Sequence, residues 1–406
     1  MKHYFTFILV LAAAVSAMAA GRDSYTVIVS LDGFRWDYMD TYDTHFLSVL
    51  GRNGVRAVMT PSFPSKTFPN HYTLATGLVP DHHGLVANRF IQRSTGRKFS
   101  LGDPETKFDG SFYGGEPIWI TAAKQGVKTG VVYWPGSDVE IKGMRPAYYH
   151  EYDGELLTFD QRLDEVHRYL TLPEAERPHL VLCYFDEPDA TGHRRGPFHP
   201  DTRARVESLD SLMRCFVSMI QSLPIADQID LIITSDHGMV MTSPERLVRL
   251  SDYIDLSWIT AIDYSVPVML DARRETRNGV TIDYADSIVA ALRDVPHIQA
   301  WRRSEVPAYL QFGSNENIGD VIINPAVGWV IGERYTESTG THGYDPFESD
   351  LQVIFRAIGP HFKQSYVKPD LFQNVCVYPL ICHLLGIVPA EVDGSVETVS
   401  DLLIGE

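Results

Sequence analysis

The chain has 406 residues, with 35 lysines and arginines against 52 aspartates and glutamates and a formal net charge of −17. That length suits one elaborated α/β domain, or a core carrying one insertion. The acidic balance excludes a protein that grips long nucleic acid through a basic surface, and an acidic chain acting on small phosphates needs a local source of positive charge, most simply bound divalent cations.

At the start of the chain, Lys2 precedes an apolar run over residues 5–15, and Ala17-Met18-Ala19 offers a small-residue cleavage site. The pattern predicts a secretory leader over residues 1–19 and hence a periplasmic or secreted protein. No other stretch approaches the roughly 18 uninterrupted apolar residues of a membrane helix. No cysteine stands directly after the cleavage site and the stretch Asp401 to Glu406 lacks an anchor-signal tail, so no stable membrane anchor is expected. The absence of any Asn-x-Ser/Thr triplet favours a bacterial setting.

Apolar, β-branched runs at residues 25–31, 131–134, 179–185 and 230–235 predict buried strands of a mostly parallel sheet. Between them, Thr67 is expected to cap a helix running from Phe68 toward Thr76. Asp201 is expected to cap another, whose Val206, Leu209, Met213, Phe216 and Ile220 make a core-facing stripe. Three of the four strands run into acidic clusters: Asp32-Gly33, Asp186-Glu187-Pro188-Asp189 and Asp236-His237-Gly238. Open α/β sheets bind ligands beyond the carboxyl ends of their strands.

From residue 247 to 329 the pattern changes to short strand-like pieces at 266–270, 308–312 and 328–331, around a helix that Asp283 caps. This predicts an inserted α+β subdomain, leaving residues 20–246 and 330–406 as the core. The core resumes at Thr341-His342-Gly343-Tyr344 and continues with a strand over 351–357 and a helical region over 370–386. Cys183, Cys215, Cys376 and Cys382 all lie in apolar stretches, where a buried thiol without chemistry is expected.

Taken singly, a carboxylate after a strand is most often a turn residue, and a lone histidine a satisfied one. The ordered co-occurrence of Asp32, Thr67, Asp189, His193, Asp236, His237 and His342 points instead to divalent metals held by mixed carboxylate and imidazole ligands. Thr67 also faces the positive end of its helix, which favours phosphate. Ser62 and Ser65 are rival hydroxyls in the same loop, and Lys66 stands beside them within reach of a phosphate.

The segment from Pro61 to Asn88, P-S-F-P-S-K-T-F-P-N-H-Y-T-L-A-T-G-L-V-P-D-H-H-G-L-V-A-N, resembles the nucleophile segment of the nucleotide pyrophosphatase/phosphodiesterase branch of the alkaline-phosphatase superfamily. The resemblance covers most of residues 25–240 and 330–395. It implies an α/β fold: an alkaline-phosphatase-like core with a mostly parallel sheet flanked by helices, plus the small insertion. It also implies two zinc ions, one on Asp32, Thr67, Asp236 and His237, the other on Asp189, His193 and His342. Thr67 is then the nucleophile that becomes phosphorylated, and Asn88 donates to a non-bridging phosphate oxygen. Phe68 and Tyr184 match aromatics that sandwich a nucleobase, and Trp134 and Asp138 belong to a nucleotide-pocket loop.

The implied activity is cleavage of nucleoside 5′-phosphodiesters and pyrophosphates to nucleoside 5′-monophosphates, with a small nucleotide or phosphodiester as partner. A phospholipid-headgroup phosphodiesterase or phosphomonoesterase on the same metals is the enzymatic alternative, separated by the aromatic pair. A catalytically inactive binding protein is the non-enzymatic one. The sequence carries no signal for oligomeric state.

Overall fold

The computed structural model describes residues 24–335 and 338–405; the leader expected over residues 1–19 lies outside them. The β-branched runs do form strands. Tyr25–Leu31, Leu180–Phe185 and Ile229–Thr234 are buried along their whole length and lie side by side, with Tyr25–Leu31 paired in parallel to both others. Unbroken burial is what a parallel strand covered on both faces requires. Thr129–Val132 and Tyr148–His150 extend the sheet in parallel beyond Leu180–Phe185. On the other side Val353–Ile358 runs antiparallel between Ile229–Thr234 and Val55–Thr60. The nine-stranded sheet is therefore mostly parallel with one reversed strand, as expected.

This direction pattern has a functional result. Val55–Thr60, Tyr25–Leu31, Leu180–Phe185 and Ile229–Thr234 all end at the same edge of the sheet, so the loops after Thr60, Leu31, Phe185 and Thr234 gather there. Gly33 lets two of these loops touch. It sits at φ +68, a left-handed conformation, and a Cβ on it would lie 2.9 Å from Cβ of Asp189. The backbone N–H of Asp189 donates to the carbonyl of Asp32 at 3.0 Å across the same contact.

Five local expectations change. The helix at the nucleophile loop is Thr67–Thr76, with Lys66 as its N-cap, so Thr67 is the first helical residue and its hydroxyl caps nothing. Its hydroxyl is thereby free for another partner. The long helix is Pro200–Gln221, capped by His199, whose ring accepts from the backbone N–H of Asp201. Residues 308–312 form a short 3-10 turn rather than a strand, because Pro307 precedes it and Gln311 and Gly313 take positive φ. The terminal helix is only Val377–Leu384: Phe372–Gln373 pairs with Val55–Thr60, and Asn374 is held by side-chain bonds to the nucleophile loop. All four cysteines are free thiols, and Cys215 is exposed rather than buried.

Within residues 247–329, Ile259–Asp263, Val268–Ala272, Val321–Pro325 and Ile298–Arg302 make a separate antiparallel sheet. Helix Tyr284–Leu292 packs on it, and the Asp283 carboxylate caps that helix by accepting from the N–H of Ala285 at 3.0 Å. Strand alternation decides what faces what. Val268, Leu270, Val321 and Ile323 join an apolar cluster of their own, whereas Met269 and Ile322 point into the main core.

Asp81 fastens this unit to the core. Its buried carboxylate accepts from the backbone N–H groups of Gly313, Ser314 and Asn315 at 2.9 to 3.1 Å and from the Ser314 hydroxyl. Several orphaned donors would remain if it were removed. Asp81→Ala is expected to cost about 2 to 4 kcal/mol of stability, read as a lowered denaturation midpoint; an unchanged midpoint contradicts this role.

Candidate active site

The loop that leads to Thr67 is pinned by its own residues. Asn70 accepts the N–H of Ser62 at 2.7 Å and donates to the carbonyls of Pro64 and Lys66. The Ser62 hydroxyl donates to Asn374 at 2.8 Å, and the fully buried Ser65 hydroxyl donates to the carbonyl of Tyr344 at 2.9 Å. Both rival hydroxyls are committed to the scaffold. Thr67 alone of the three turns toward the sheet edge, where its hydroxyl lies 2.9 Å from Nε2 of His237.

The structure brings the seven candidate ligands together in two groups. In the first, Nε2 of His237 lies 3.4 Å from Oδ1 of Asp32 and 3.1 Å from Oδ2 of Asp236, in addition to its contact with Thr67. In the second, Oδ2 of Asp189 is 3.5 Å from Nε2 of His193, Oδ1 is 3.7 Å from Nε2 of His342, and the two imidazole nitrogens are 3.1 Å apart. Asp189 and His193 share one face of the helix Asp189–Arg195, as i,i+4 spacing dictates. The groups adjoin: the rings of His237 and His342 stack with centroids 3.6 Å apart, and Asp189, His237 and His342 themselves form a set of neighbouring ligand atoms.

The backbone orients every imidazole. Nδ1–H of His193 donates to the carbonyl of Gly340, that of His237 to Gly238 and that of His342 to Ser65, each at 2.8 Å. In the neutral form of each ring Nε2 then carries the lone pair, the tautomer that a metal ligand needs. The Nε2 atoms of His193 and His342 lie 3.1 Å apart, an arrangement that a shared cation would suit.

The carboxylates make the same demand. Oδ1 of Asp32, Oδ1 of Asp189 and Oδ2 of Asp236 are buried and find no hydrogen-bond partner among the described residues. Burial, with the charges of Asp236 and Asp189 nearby, pushes the Asp32 carboxyl well above its ordinary range. Burial would raise Asp236 too, but His237 and His71 hold it down to about 2. Burial and the neighbouring His237 and His193 push the His342 imidazole well below its usual value. Converging carboxylates and neutral imidazoles with unpartnered ligand atoms fit divalent metal ions of the zinc type.

Two cavities flank Thr67. One, of about 180 Å³, is lined by Thr67, Phe68, Trp134, Asp138, Tyr152 and Tyr184 among others. The other, of about 460 Å³, is lined by Lys66, Asn88, Arg89, His193, Ser265 and His342 among others. All the expected substrate residues thus reach one cavity or the other, and the buried Oδ1 of Asn88 has no partner among the described residues. Tyr184 has a second attachment, since its hydroxyl donates to Oδ2 of Asp32 at 2.6 Å.

Sequence reasoning missed three residues. Tyr152, 39% exposed, lies 6.1 Å from the Tyr184 ring and comes from a loop without a motif. Lys107 pairs with Asp138 at 3.3 Å. His71 is wholly buried, donating from Nδ1 to the carbonyl of Thr67 and accepting on Nε2 from the Ser30 hydroxyl, with its ring edge-on to Tyr184 and Trp134. Its helical position one turn after Thr67 was the available signal.

A mostly parallel sheet with helices and this cluster at its carboxyl edge is the alkaline-phosphatase-like α/β architecture. Residues 26–345 match the model of the type I phosphodiesterase/nucleotide pyrophosphatase family, and the chain belongs to that family. It is 34% identical over 388 residues to mouse ectonucleotide pyrophosphatase/phosphodiesterase family member 1, covering 93% of this chain and 42% of that relative. To human family member 5 it is 34% identical over 382 residues, covering 93% of this chain and 77% of the relative. The chain thus spans about two fifths of the length of the member 1 relatives.

The solved structure of murine ectonucleotide pyrophosphatase/phosphodiesterase 5 superposes with a TM-score of 0.86 at 32% identity, covering 93% of this chain and all of that one. An inactive threonine-to-alanine variant of the same murine protein, in complex with AMP, superposes equally well at 31% identity over 94% of this chain and 100% of that chain.

Because Tyr184 holds Asp32 in place, Tyr184→Phe is expected to fold yet weaken binding of zinc about 10- to 100-fold, the usual effect of losing an outer-shell partner. Calorimetric titration of the metal-free protein measures this, and unaltered affinity contradicts the assignment.

Proposed function

We propose that this chain is a two-zinc phosphodiesterase and pyrophosphatase that cleaves nucleoside 5′-phosphodiesters and nucleotide pyrophosphates, releasing nucleoside 5′-monophosphates. The observation that carries the reading is the Thr67 hydroxyl, 2.9 Å from His237, between an aromatic cavity and a cluster of unpartnered carboxylate oxygens. Asp32, Thr67, Asp236 and His237 would hold one zinc, and Asp189, His193 and His342 the other. When bound, two such cations supply positive charge to the developing phosphoryl transition state and acidify the hydroxyl groups they face.

The residues of the chain then divide the work. A nucleobase enters the aromatic cavity, where Phe68 offers one face and Tyr152 and Tyr184 others, with Trp134 and the Lys107–Asp138 pair at its walls. Stacking accepts any base. Binding there sets phosphorus against Thr67, whose oxygen attacks as the bond to the leaving group breaks, giving a phosphorylated threonine that water hydrolyses in a second step. The Asn88 amide donates to the non-bridging oxygen on which charge builds. The start of helix Thr67–Thr76 adds its positive dipole end at the same point.

The inactive threonine variant and the bound AMP of the murine relative support both the nucleophile and the nucleotide class. Among the described residues no helix is long and apolar enough to cross a membrane. Release into the periplasm or medium after removal of residues 1–19 belongs to the same proposal, as does the reading of residues 247–329 as an insertion in the catalytic core.

The deciding measurement compares turnover of a nucleotide diester, a phosphocholine ester and a simple monoester by the zinc-loaded protein; preference for either of the last two overturns the substrate class. Thr67→Ala is expected to fold, bind zinc and lose at least about a thousandfold in diester cleavage, whereas wild-type turnover by that variant removes Thr67 from the mechanism. Phe68→Ala is expected to cost about 5- to 150-fold in kcat/KM for nucleotides. A base-free aryl diester serves as its control, and equal losses on both substrates would return Phe68 to a packing role.

A further inference from the structure

Lys66 and Thr67 are consecutive, yet they face different cavities. Thr67 opens on the aromatic one, and Lys66 on the one that His193 and His342 line. With the nucleoside in the first, whatever lies beyond the scissile bond falls in the second. In a nucleotide pyrophosphate that group is one or more phosphates; in an aryl diester it is an uncharged ring.

Lys66 is 3% exposed, and its ammonium donates to the Ser265 hydroxyl at 2.5 Å. Ser265 cannot swing away. Its hydroxyl donates to Oδ2 of Asp263 at 2.8 Å and its backbone N–H to Oδ1 at 3.1 Å, so only a lone pair is left to meet Lys66. Asp263 thus orients Ser265 and favours the charged form of the buried ammonium. The loop carrying them is pressed onto the histidine segment: a Cβ on Gly343, at φ +106, would lie 2.0 Å from the carbonyl of Val266.

A free lysine has four rotatable bonds whose freedom is lost on ligand binding. Here that freedom is already gone, and the ammonium still has two donors to offer the cavity. Arg89, exposed at the cavity wall, adds a second cation.

We infer that Ser265 and Asp263, from the segment outside the central sheet, are positioning residues that hold Lys66 against the departing phosphate and so set a preference for anhydride leaving groups, with their several anionic oxygens, over aryl ones. The inference rests on the function proposed above. As the Thr67 oxygen bonds to phosphorus and its proton passes to solvent, the bond to the bridging oxygen breaks. That oxygen leaves with the electron pair as part of a pyrophosphate, and the fixed ammonium stabilises its charge.

The test is the ratio of kcat/KM for ATP to kcat/KM for the p-nitrophenyl ester of thymidine 5′-monophosphate, measured on the zinc-loaded protein. Ser265→Ala, at an exposed position, is expected to lower the ratio about tenfold, and Asp263→Asn to lower it in the same direction. Ser265→Thr, which keeps the hydroxyl, should restore it. On a Lys66→Met background Ser265→Ala should change the ratio no further, because both act through one ammonium. An unchanged ratio in Ser265→Ala, or an additive loss on the Lys66→Met background, overturns the positioning role while leaving the phosphodiesterase reading intact. Wild-type protein that cleaves neither compound overturns that reading, and the positioning role with it.

Discussion

Three carboxylates meet at one edge of the sheet with too little positive charge to balance them. Among the described residues Asp32, Asp189 and Asp236 pair with no lysine or arginine, only with histidines whose Nδ1–H groups the backbone already holds. Like charges brought together out of water raise one another's pKa values, so a cluster of this kind is poised for cations or for protons. The raised Asp32 carboxyl is a result of that constraint, whereas the suppressed His342 imidazole follows from its burial beside His237 and His193. The surrounding structure holds repelling groups together.

It does so with bonds made outside the cluster. The Asp32 and Asp189 loops are tied backbone to backbone beside Gly33, and the loop of Asp236 is bound through Ser235, whose hydroxyl accepts the N–H of Phe34 at 2.9 Å. His342 hangs on the carbonyl of Ser65, so the loop that presents Thr67 also aims a ligand of the second group. Asn70 and Asn374 brace that loop from below. The geometry of Thr67 and of the surrounding carboxylates and imidazoles therefore depends on the same buried polar network, in which each unmade bond is costly.

Family membership accounts for the architecture of the core. It does not by itself explain why the segment between residues 247 and 329 stands where it does. That segment contributes Ser265 and Val266 to the cavity wall, and its strands split their side chains between their own apolar cluster and the main core. Its position is thereby locked to the catalytic edge.

The strands, the direction of most of the sheet and the carboxylates and histidines that gather at its edge were legible in the chain, because each depends on a local pattern: a β-branched run followed by an acidic pair, or a helix opened by a threonine. The resemblance of residues 61–88 added the family. Other features were settled only in three dimensions. Lys66 rather than Thr67 takes the helix-cap position, and the Thr67 hydroxyl meets His237, 170 residues away. Asp201 lost its cap to His199, and residues 308–312 lost their strand to positive-φ positions that no hydrophobic pattern announces. Tyr152, the Tyr184 hydroxyl on Asp32 and the Ser265 contact to Lys66 join segments distant in the chain, and no periodicity encodes such pairings. Local pattern determines which elements form and which residues stand at their ends; packing of remote loops at one sheet edge decides which of those residues share a proton, a charge or a substrate.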